Sequence, residues 1–264
     1  MKTLEESIAA AMDTKDMDIV PFLPYILQDF WEMGTPPGIV IELIQKQYKN
    51  YPDLNVLDLG CGKGAVSVKL ASALRCHCYG IDCIPEFIEA SRNKAIEYQV
   101  DSLCQFEVAD IRERIKELGK YDIIILGSIG PVFGDYYSTL TVLSKHLSAE
   151  GIIIIDDAYL NDTNALQDSK SAIYDWVLPR QQILKQIRKA EMELIDEFTG
   201  KYSEFAESTK EMESITIRCN ELKAKYPGKS SLFDKYEQDQ IEGYDALDND
   251  LIGSVMVVKR KVNR

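Results

Sequence analysis

Between about residue 54 and residue 160 the chain repeats one rhythm: a short apolar run, then a stretch of helical period. The runs are "NVLDLG", "CHCYGID", "LCQFEVAD", "YDIIILGS" and "GIIIIDDAY". Between the first two lies "KGAVSVKLASALR", with Val66, Leu70 and Leu74 at helical spacing. After the second comes "IPEFIEASRNKAIEY", with Pro85 in its first turn and Phe87, Ile88, Ser91 and Ala95 on one face. "IRERIKELG" and a helix from about Asp135 to Leu147 complete the series. Five apolar strands alternating with helices demand a parallel sheet covered on both faces. "EMELIDEFT" and "LIGSVMVVKRK" add two later strands. The expected fold class is therefore α/β: a doubly wound, mostly parallel, seven-stranded sheet.

The rest of the chain decorates that core. Residues 1–50 read as a helical arm, punctuated by Pro21, Pro24 and the "TPPG" at 35–38, where Thr35 can cap a helix that a proline opens. Residues 170–190 look helical, and 51–200 form the core. Residues 201–248 form a charged helical insertion broken by "YPGKSS" at 226–231, and 249–264 carry the last strand and tail. All 264 residues are read as one domain.

Composition narrows the partners. A formal charge of −13 argues against nucleic acid and against an anionic membrane surface. No apolar run approaches the roughly 18–20 residues that a bilayer span requires. The opening "MKTLEESIAAAMDTKD" has acids where a secretory signal needs an apolar core, so a cytoplasmic location is expected. The six cysteines show no paired spacing and are expected to be reduced, and the two histidines offer no zinc cluster.

The chemistry concentrates in "VLDLGCGKG", where a strand hands over to a helix. Asp58 precedes glycines at 60, 62 and 64. Glycines there let backbone N–H groups approach a ligand at a helix N-terminus. A dinucleotide fingerprint would read GxGxxG, but position 65 is Ala. A carboxylate two residues before the first glycine would also sit badly beside a pyrophosphate and well beside an α-ammonium group.

At these residues the sequence resembles the class I S-adenosylmethionine-dependent methyltransferases, over about residues 54 to 160. The resemblance implies a Rossmann-like core whose loop, Asp58, Gly60, Cys61, Gly62 and Gly64, wraps the methionine part of S-adenosyl-L-methionine. It makes Asp82, 22 residues after Gly60, the acid that binds the ribose hydroxyls, and lays Cys83 and Ile84 along the adenine. Asp110, with the Ile111 N–H beside it, would face the adenine amino group. Gly127 and Ser128, at the end of strand four, would face the sulfonium and methyl.

The acceptor is expected to be a small molecule. "GSIGPVFG" lacks the Asn-Pro-Pro-aromatic signature of members that methylate DNA bases. His77 precedes Asp82 within a strand, and His146, late in a helix, reads as a helix-end cap. Asp156 and Asp157 at the end of strand five, with Tyr159 behind them, are candidates to bind the acceptor or take its proton. A catechol-type metal trio would also need an acid at Gly127 or Ser128, so no metal is expected. A dedicated base is optional, because much of methyl transfer is alignment. Residues 15–35 and 201–248 are expected to form a lid over the strand ends, with Tyr25, Phe30, Trp31, Tyr202, Phe205, Tyr226, Phe233 and Tyr236 supplying any pocket walls. The rival is a subunit interface pairing two copies through the insertion. Two other functional readings stay open: a non-catalytic S-adenosylmethionine-binding module and an NAD(P)-dependent oxidoreductase.

Overall fold

The computed structural model describes residues 3–160, 172–201 and 208–261. Its helices are α1 (Leu4–Ala11), α2 (Leu23–Ile26), α3 (Pro37–Gln47), α4 (Ala65–Leu74), α5 (Pro85–Glu97), α6 (Ile111–Arg114), α7 (Tyr136–Leu143), α8 (Arg180–Lys189), α9 (Ser208–Lys225) and α10 (Ser230–Asn249). Its strands are β1 (Asn55–Leu59), β2 (His77–Asp82), β3 (Cys104–Val108), β4 (Tyr121–Gly127), β5 (Leu147–Leu160), β6 (Leu178–Pro179), β7 (Met192–Gly200) and β8 (Leu251–Arg260). The chain divides into two compact units. Trp31–Asp157, Gln181–Thr199 and Ser254–Arg264 make a sheet unit; Met1–Phe30, Ala158–Arg180 and Gly200–Gly253 make a helical one.

Seven strands of the sheet run in the order β3-β2-β1-β4-β5-β8-β7, and the two-residue β6 pairs off this path with the end of β5. From β3 to β5 every pair is parallel. The β8–β7 edge is antiparallel, with the Lys261 N–H bonded to the Glu191 carbonyl and Ser254 donating to Glu197. The sheet is the mostly parallel one expected, with β6 as an addition. Val56, Leu57, Leu59, Ile123, Ile124, Ile125, Ile153 and Ile154 are all inaccessible to solvent, as strands covered on both faces require.

On α5, Phe87, Ile88, Ser91 and Ala95 form the buried face expected from their spacing, with Pro85 in the first turn. The α4 face is broader than its sequence suggests: Ala65, Ser67, Val68, Leu70, Ala71 and Leu74 are buried and Val66 only partly. That helix packs against β1 and β2 as well as α3 and α5, so several of its sides are covered.

Three local expectations are corrected. The helix after β4 ends at Leu143, and β5 begins at Leu147. The Arg260 guanidinium on β8 donates to the carbonyls of Ser144, Leu147 and Ser148, which anchors this early start. β5 also runs beyond "DDAY" to Leu160, because Tyr159 and Leu160 pair with Leu178 and Pro179. His146 does not cap its own helix: its Nδ1 lies 3.1 Å from the Leu118 carbonyl and 3.2 Å from that of Gly119, ahead of β4.

The helical unit gathers α1, α2, α9, α10 and a 3₁₀ turn at Met17–Phe22. Phe233 and Tyr236 are buried there, and Phe22 meets Phe233 edge-on at 5.0 Å and Tyr226 at 5.6 Å. Asp29 accepts from Nε and Nη2 of Arg218, whose Nη1 donates to Glu221, and Tyr25 donates to Glu221 at 2.7 Å. These aromatics and charges hold the helices of that unit together. Tyr202 and Phe205 lie outside the described residues. Among the described residues no helix is long and apolar enough to cross a membrane, and all six cysteines are free thiols.

Candidate functional site

After β1 the chain turns sharply through Gly60–Gly64 before α4 begins. Gly60, Gly62 and Gly64 have φ of +73°, +52° and +73°, where a side chain is strained. The Gly60 and Cys61 N–H groups both bond the Ile81 carbonyl, at 2.8 and 3.1 Å, which ties the loop to β2. The three glycines have different neighbours. A Cβ on Gly60 would lie 2.7 Å from Ile129, and one on Gly64 would lie 2.8 Å from Ser91 and 3.0 Å from Phe106. Among the described residues, a Cβ on Gly62 would meet only the end of the Met33 side chain, at 3.0 Å. Gly62 is therefore the glycine whose space is not already taken by the core.

Two carboxylates flank this loop. Asp58, 3% exposed on β1, accepts the Ser67 hydroxyl at 2.6 Å from the first turn of α4. Burial, with Asp82 nearby, pushes its carboxyl up to about 6. Asp82 ends β2, and its two oxygens accept from the Gly62 N–H and the Ile84 N–H, each at 2.9 Å. Burial raises its pKa, with the backbone bonds opposing the rise. An ionised carboxylate has about four acceptor positions, so these bonds fix the group and still leave it acceptor capacity. Cys83 beside it has a thiol pushed up to about 12 by burial and the neighbouring Asp82, and Ile84 is buried.

At the end of β3, Asp110 caps α6 by accepting the Arg112 N–H at 2.9 Å, and the Arg112 guanidinium grips the same carboxylate at 2.7–3.1 Å. That pairing holds Asp110 below its ordinary range. Asp110 and Ile111 stand at this strand end as their sequence position implies, and Arg112 is the added partner of the carboxylate.

The ends of β4 and β5 meet through Ser128. Its N–H donates to the Asp156 carbonyl at 3.0 Å, and its hydroxyl donates to the Asp156 carboxylate at 2.6 Å. Thr35 joins them, 3.3 Å from the Ser128 hydroxyl and hydrogen-bonded to Asp156. This corrects the reading of Thr35 as a helix cap: α3 starts at Pro37 behind Pro36, which leaves Thr35 against Gly127 and Ser128. Ser128 has a φ of +53°, a conformation that costs a non-glycine residue on the order of 1 kcal/mol and recurs at functional sites. Burial raises the Asp156 carboxyl, against the hydrogen bonds from Ser128 and Thr35.

Asp156 and Asp157 diverge. Successive strand residues point to opposite faces, so Asp157 instead accepts the Tyr136 hydroxyl at 2.8 Å. Burial and that carboxylate hold the Tyr136 phenol well above its ordinary range. Tyr159 is buried, and its position pairs with Leu178.

Sequence reasoning missed Ser67, Met33, Arg112 and Tyr136. Only Ser67 carried a signal, as a hydroxyl on an otherwise apolar helix face. Met33 and Tyr136 reach the site through tertiary packing that no local pattern encodes, whereas Arg112 is a neighbour of Asp110 in the chain whose side-chain direction the spacing does not give.

The two buried carboxylates are the acidic groups beside the loop, Asp82 accepting from backbone N–H groups and Asp58 from the Ser67 hydroxyl. Residues 50–214, well over half of the chain, match the family model of a methyltransferase domain. Among curated proteins, a malonyl-[acyl-carrier protein] O-methyltransferase of Bacillus cereus is 25% identical over 116 residues, 44% of this chain and 41% of the relative. A ribosomal protein L11 methyltransferase of Thermosipho africanus is 28% identical over 124 residues, 46% of this chain and 45% of the relative. The chain thus spans about two fifths of the length of the curated relatives it matches. In fold it is similar to a SAM-dependent methyltransferase of Geobacter sulfurreducens, solved in complex with S-adenosyl-L-homocysteine. That likeness has a TM-score of 0.74 at 15% identity and covers 91% of this chain and 98% of the other.

Proposed function

Since the chain belongs to the methyltransferase-domain family, we propose that it moves the methyl group of S-adenosyl-L-methionine to a small-molecule acceptor, with the cofactor held along the loop and strand ends described above. The observation that carries this reading is the Asp82 carboxylate, fixed by the Gly62 and Ile84 N–H groups beside a loop of positive-φ glycines. When bound there, the sulfonium supplies a methyl group open to in-line displacement by an electron-rich atom.

The chain's own residues do the binding and orienting. Asp58 sets a buried negative charge toward the α-ammonium, and Asp82 accepts from the ribose hydroxyls. Cys83 and Ile84 flank the adenine, and Asp110 with the Ile111 backbone faces its amino group. Gly127 and Ser128 border the reacting centre. Asp156 is the candidate to bind the acceptor or accept its proton, since burial moves its pKa toward the range where a carboxylate acts as a base.

A small acceptor suits a chain of net charge −13, which would repel a nucleic-acid backbone. The test incubates the protein with methyl-labelled S-adenosylmethionine and separated fractions of a cell extract. Label is expected in the low-mass fraction; label confined to protein or nucleic acid would contradict the reading. With the acceptor so found, Asp156→Ala should leave cofactor affinity within a few-fold and slow transfer by about a hundredfold or more, the scale of a lost general base. An unchanged rate would remove Asp156 from the reaction.

A further inference from the structure

The segment just before α3 is tied to the glycine loop in an unusual way. The Trp31 indole N–H donates to the Lys63 carbonyl at 3.0 Å, within the loop itself. The same peptide unit is held from its other side, because the Gly64 N–H bonds the Cys61 carbonyl at 2.9 Å. Two residues on, the end of Met33 lies over Gly62. Gly34 packs against Ser128 so closely that a Cβ there would lie 2.6 Å from that side chain. Thr35 reaches Ser128 and Asp156. Trp31 is itself anchored: Lys69 and Lys94 lie over its ring at 5.3 and 4.8 Å, and the Tyr98 ring packs against it at 4.9 Å. These partners come from α4 and α5, the helices that follow the loop and β2.

We infer that Trp31–Thr35 is a strap that holds the glycine loop in its cofactor-binding shape, with Trp31 as a positioning residue. The inference rests on the reading that the cofactor occupies the glycine loop. Physically, a loop with three positive-φ glycines has many competing conformations, and a ligand must meet only one of them. The strap fixes the Lys63–Gly64 peptide through its carbonyl, so its loss shows as weaker binding rather than as lost contact with the ligand. The strap also places an indole in direct contact with the loop, so ligand binding alters the environment of Trp31.

The chain has two tryptophans, and Trp176 packs in the helical unit beside Ala158, Leu160 and Ala246. Trp176→Phe therefore leaves Trp31 as the only indole. Titration of that variant with S-adenosylhomocysteine should give a saturable change in emission whose midpoint matches the calorimetric dissociation constant of the same protein. The same change should vanish in Trp31→Phe on the wild-type background, a second route should Trp176→Phe fold poorly. Trp31→Phe keeps a ring for Lys69, Lys94 and Tyr98 but loses the N–H. It should bind roughly 3- to 10-fold more weakly, the range for one hydrogen bond. Calorimetric binding with silent Trp31 emission overturns the strap. So does a Trp31→Phe protein that loses thermal stability but keeps full affinity. Asp82→Ala separates the two ideas. If it binds like wild type, the glycine-loop reading falls and takes the strap with it. If it loses binding while Trp31→Phe does not, only the strap falls.

Discussion

Replacing Asp58 by Asn is expected to stabilise the protein and loosen its hold on the cofactor at the same time. The carboxyl is buried, and its pKa is pushed from 3.8 to about 6. A folded-state pKa above the unfolded value means that the folded protein binds the proton more tightly. The stability contribution is then fully present below about pH 4 and is lost as pH rises toward about 6. At about 1.4 kcal/mol per pH unit, carrying the ionised group at neutral pH costs the fold about 3 kcal/mol. Asn keeps an oxygen for the Ser67 hydroxyl and carries no charge, so melting at pH 7 should rise by up to several degrees. Affinity moves the other way. A charged hydrogen bond to an α-ammonium is worth about 1.5–3 kcal/mol, or roughly a 10- to 150-fold loss. The pH profile separates this from a packing effect. Wild-type affinity should fall by up to about tenfold per pH unit below about 6, as Asp58 takes up a proton. The Asn variant should lose that dependence. A variant that is less stable, or that binds unchanged, would mark Asp58 as an ordinary core polar group.

Valine substitutions at Gly62 and Gly64 are expected to fail in different ways. Both positions have positive φ, so each variant carries backbone strain of about 1–2 kcal/mol. At Gly64 the new side chain runs into Ser91 and Phe106 at 2.8–3.0 Å, against the body of α5 and β3. Overpacking of that kind costs about 1–3 kcal/mol more, so Gly64→Val should express poorly or melt well below wild type. At Gly62 the only neighbour in reach among the described residues is the flexible end of Met33, so the fold should survive. The added bulk would occupy space the cofactor needs, and binding should fall at least a hundredfold. Circular dichroism melts and calorimetry on the two proteins check the contrast. A stable Gly62→Val that binds normally would show that the ligand does not approach this part of the loop.

The parts of the candidate site that follow local pattern are legible in the sequence. Asp58, the glycines and Asp82 sit at the ends of β1 and β2, where strand and helix signals meet; the Gly62 N–H donates to Asp82, while Asp58 takes its bond from Ser67. The buried face of α5 followed from spacing alone. Some partners did not show. Arg112 is only two residues from Asp110, but spacing alone does not say that its side chain folds back onto the cap, while Tyr136 for Asp157 and Trp31 and Met33 on the glycine loop come from distant chain. Trp31 could be noticed as an aromatic ahead of the first strand, yet nothing local says that its N–H meets a carbonyl 32 residues away. Thr35 misled for the opposite reason. A threonine before two prolines has the chemistry of a helix cap, but the helix begins two residues later and the hydroxyl serves Ser128 and Asp156. The length of β5 was hidden as well, because both of its ends depend on residues far along the chain, Arg260 at one and Leu178 with Pro179 at the other.

On the proposed reading, Asp82 holds the cofactor's ribose beside the glycine loop. Calorimetric titration of wild type and Asp82→Ala with S-adenosylhomocysteine tests it most directly, with Asp82→Asn as the variant of matching shape and NADH as the control ligand. Wild type should bind with a dissociation constant of about a micromolar to tens of micromolar and give no heat with NADH. Asp82→Ala should bind roughly 10- to 150-fold more weakly, the loss that corresponds to hydrogen bonds from a charged group. An Asp82→Ala protein that binds S-adenosylhomocysteine as tightly as wild type, or a wild type that prefers NADH, would contradict the account.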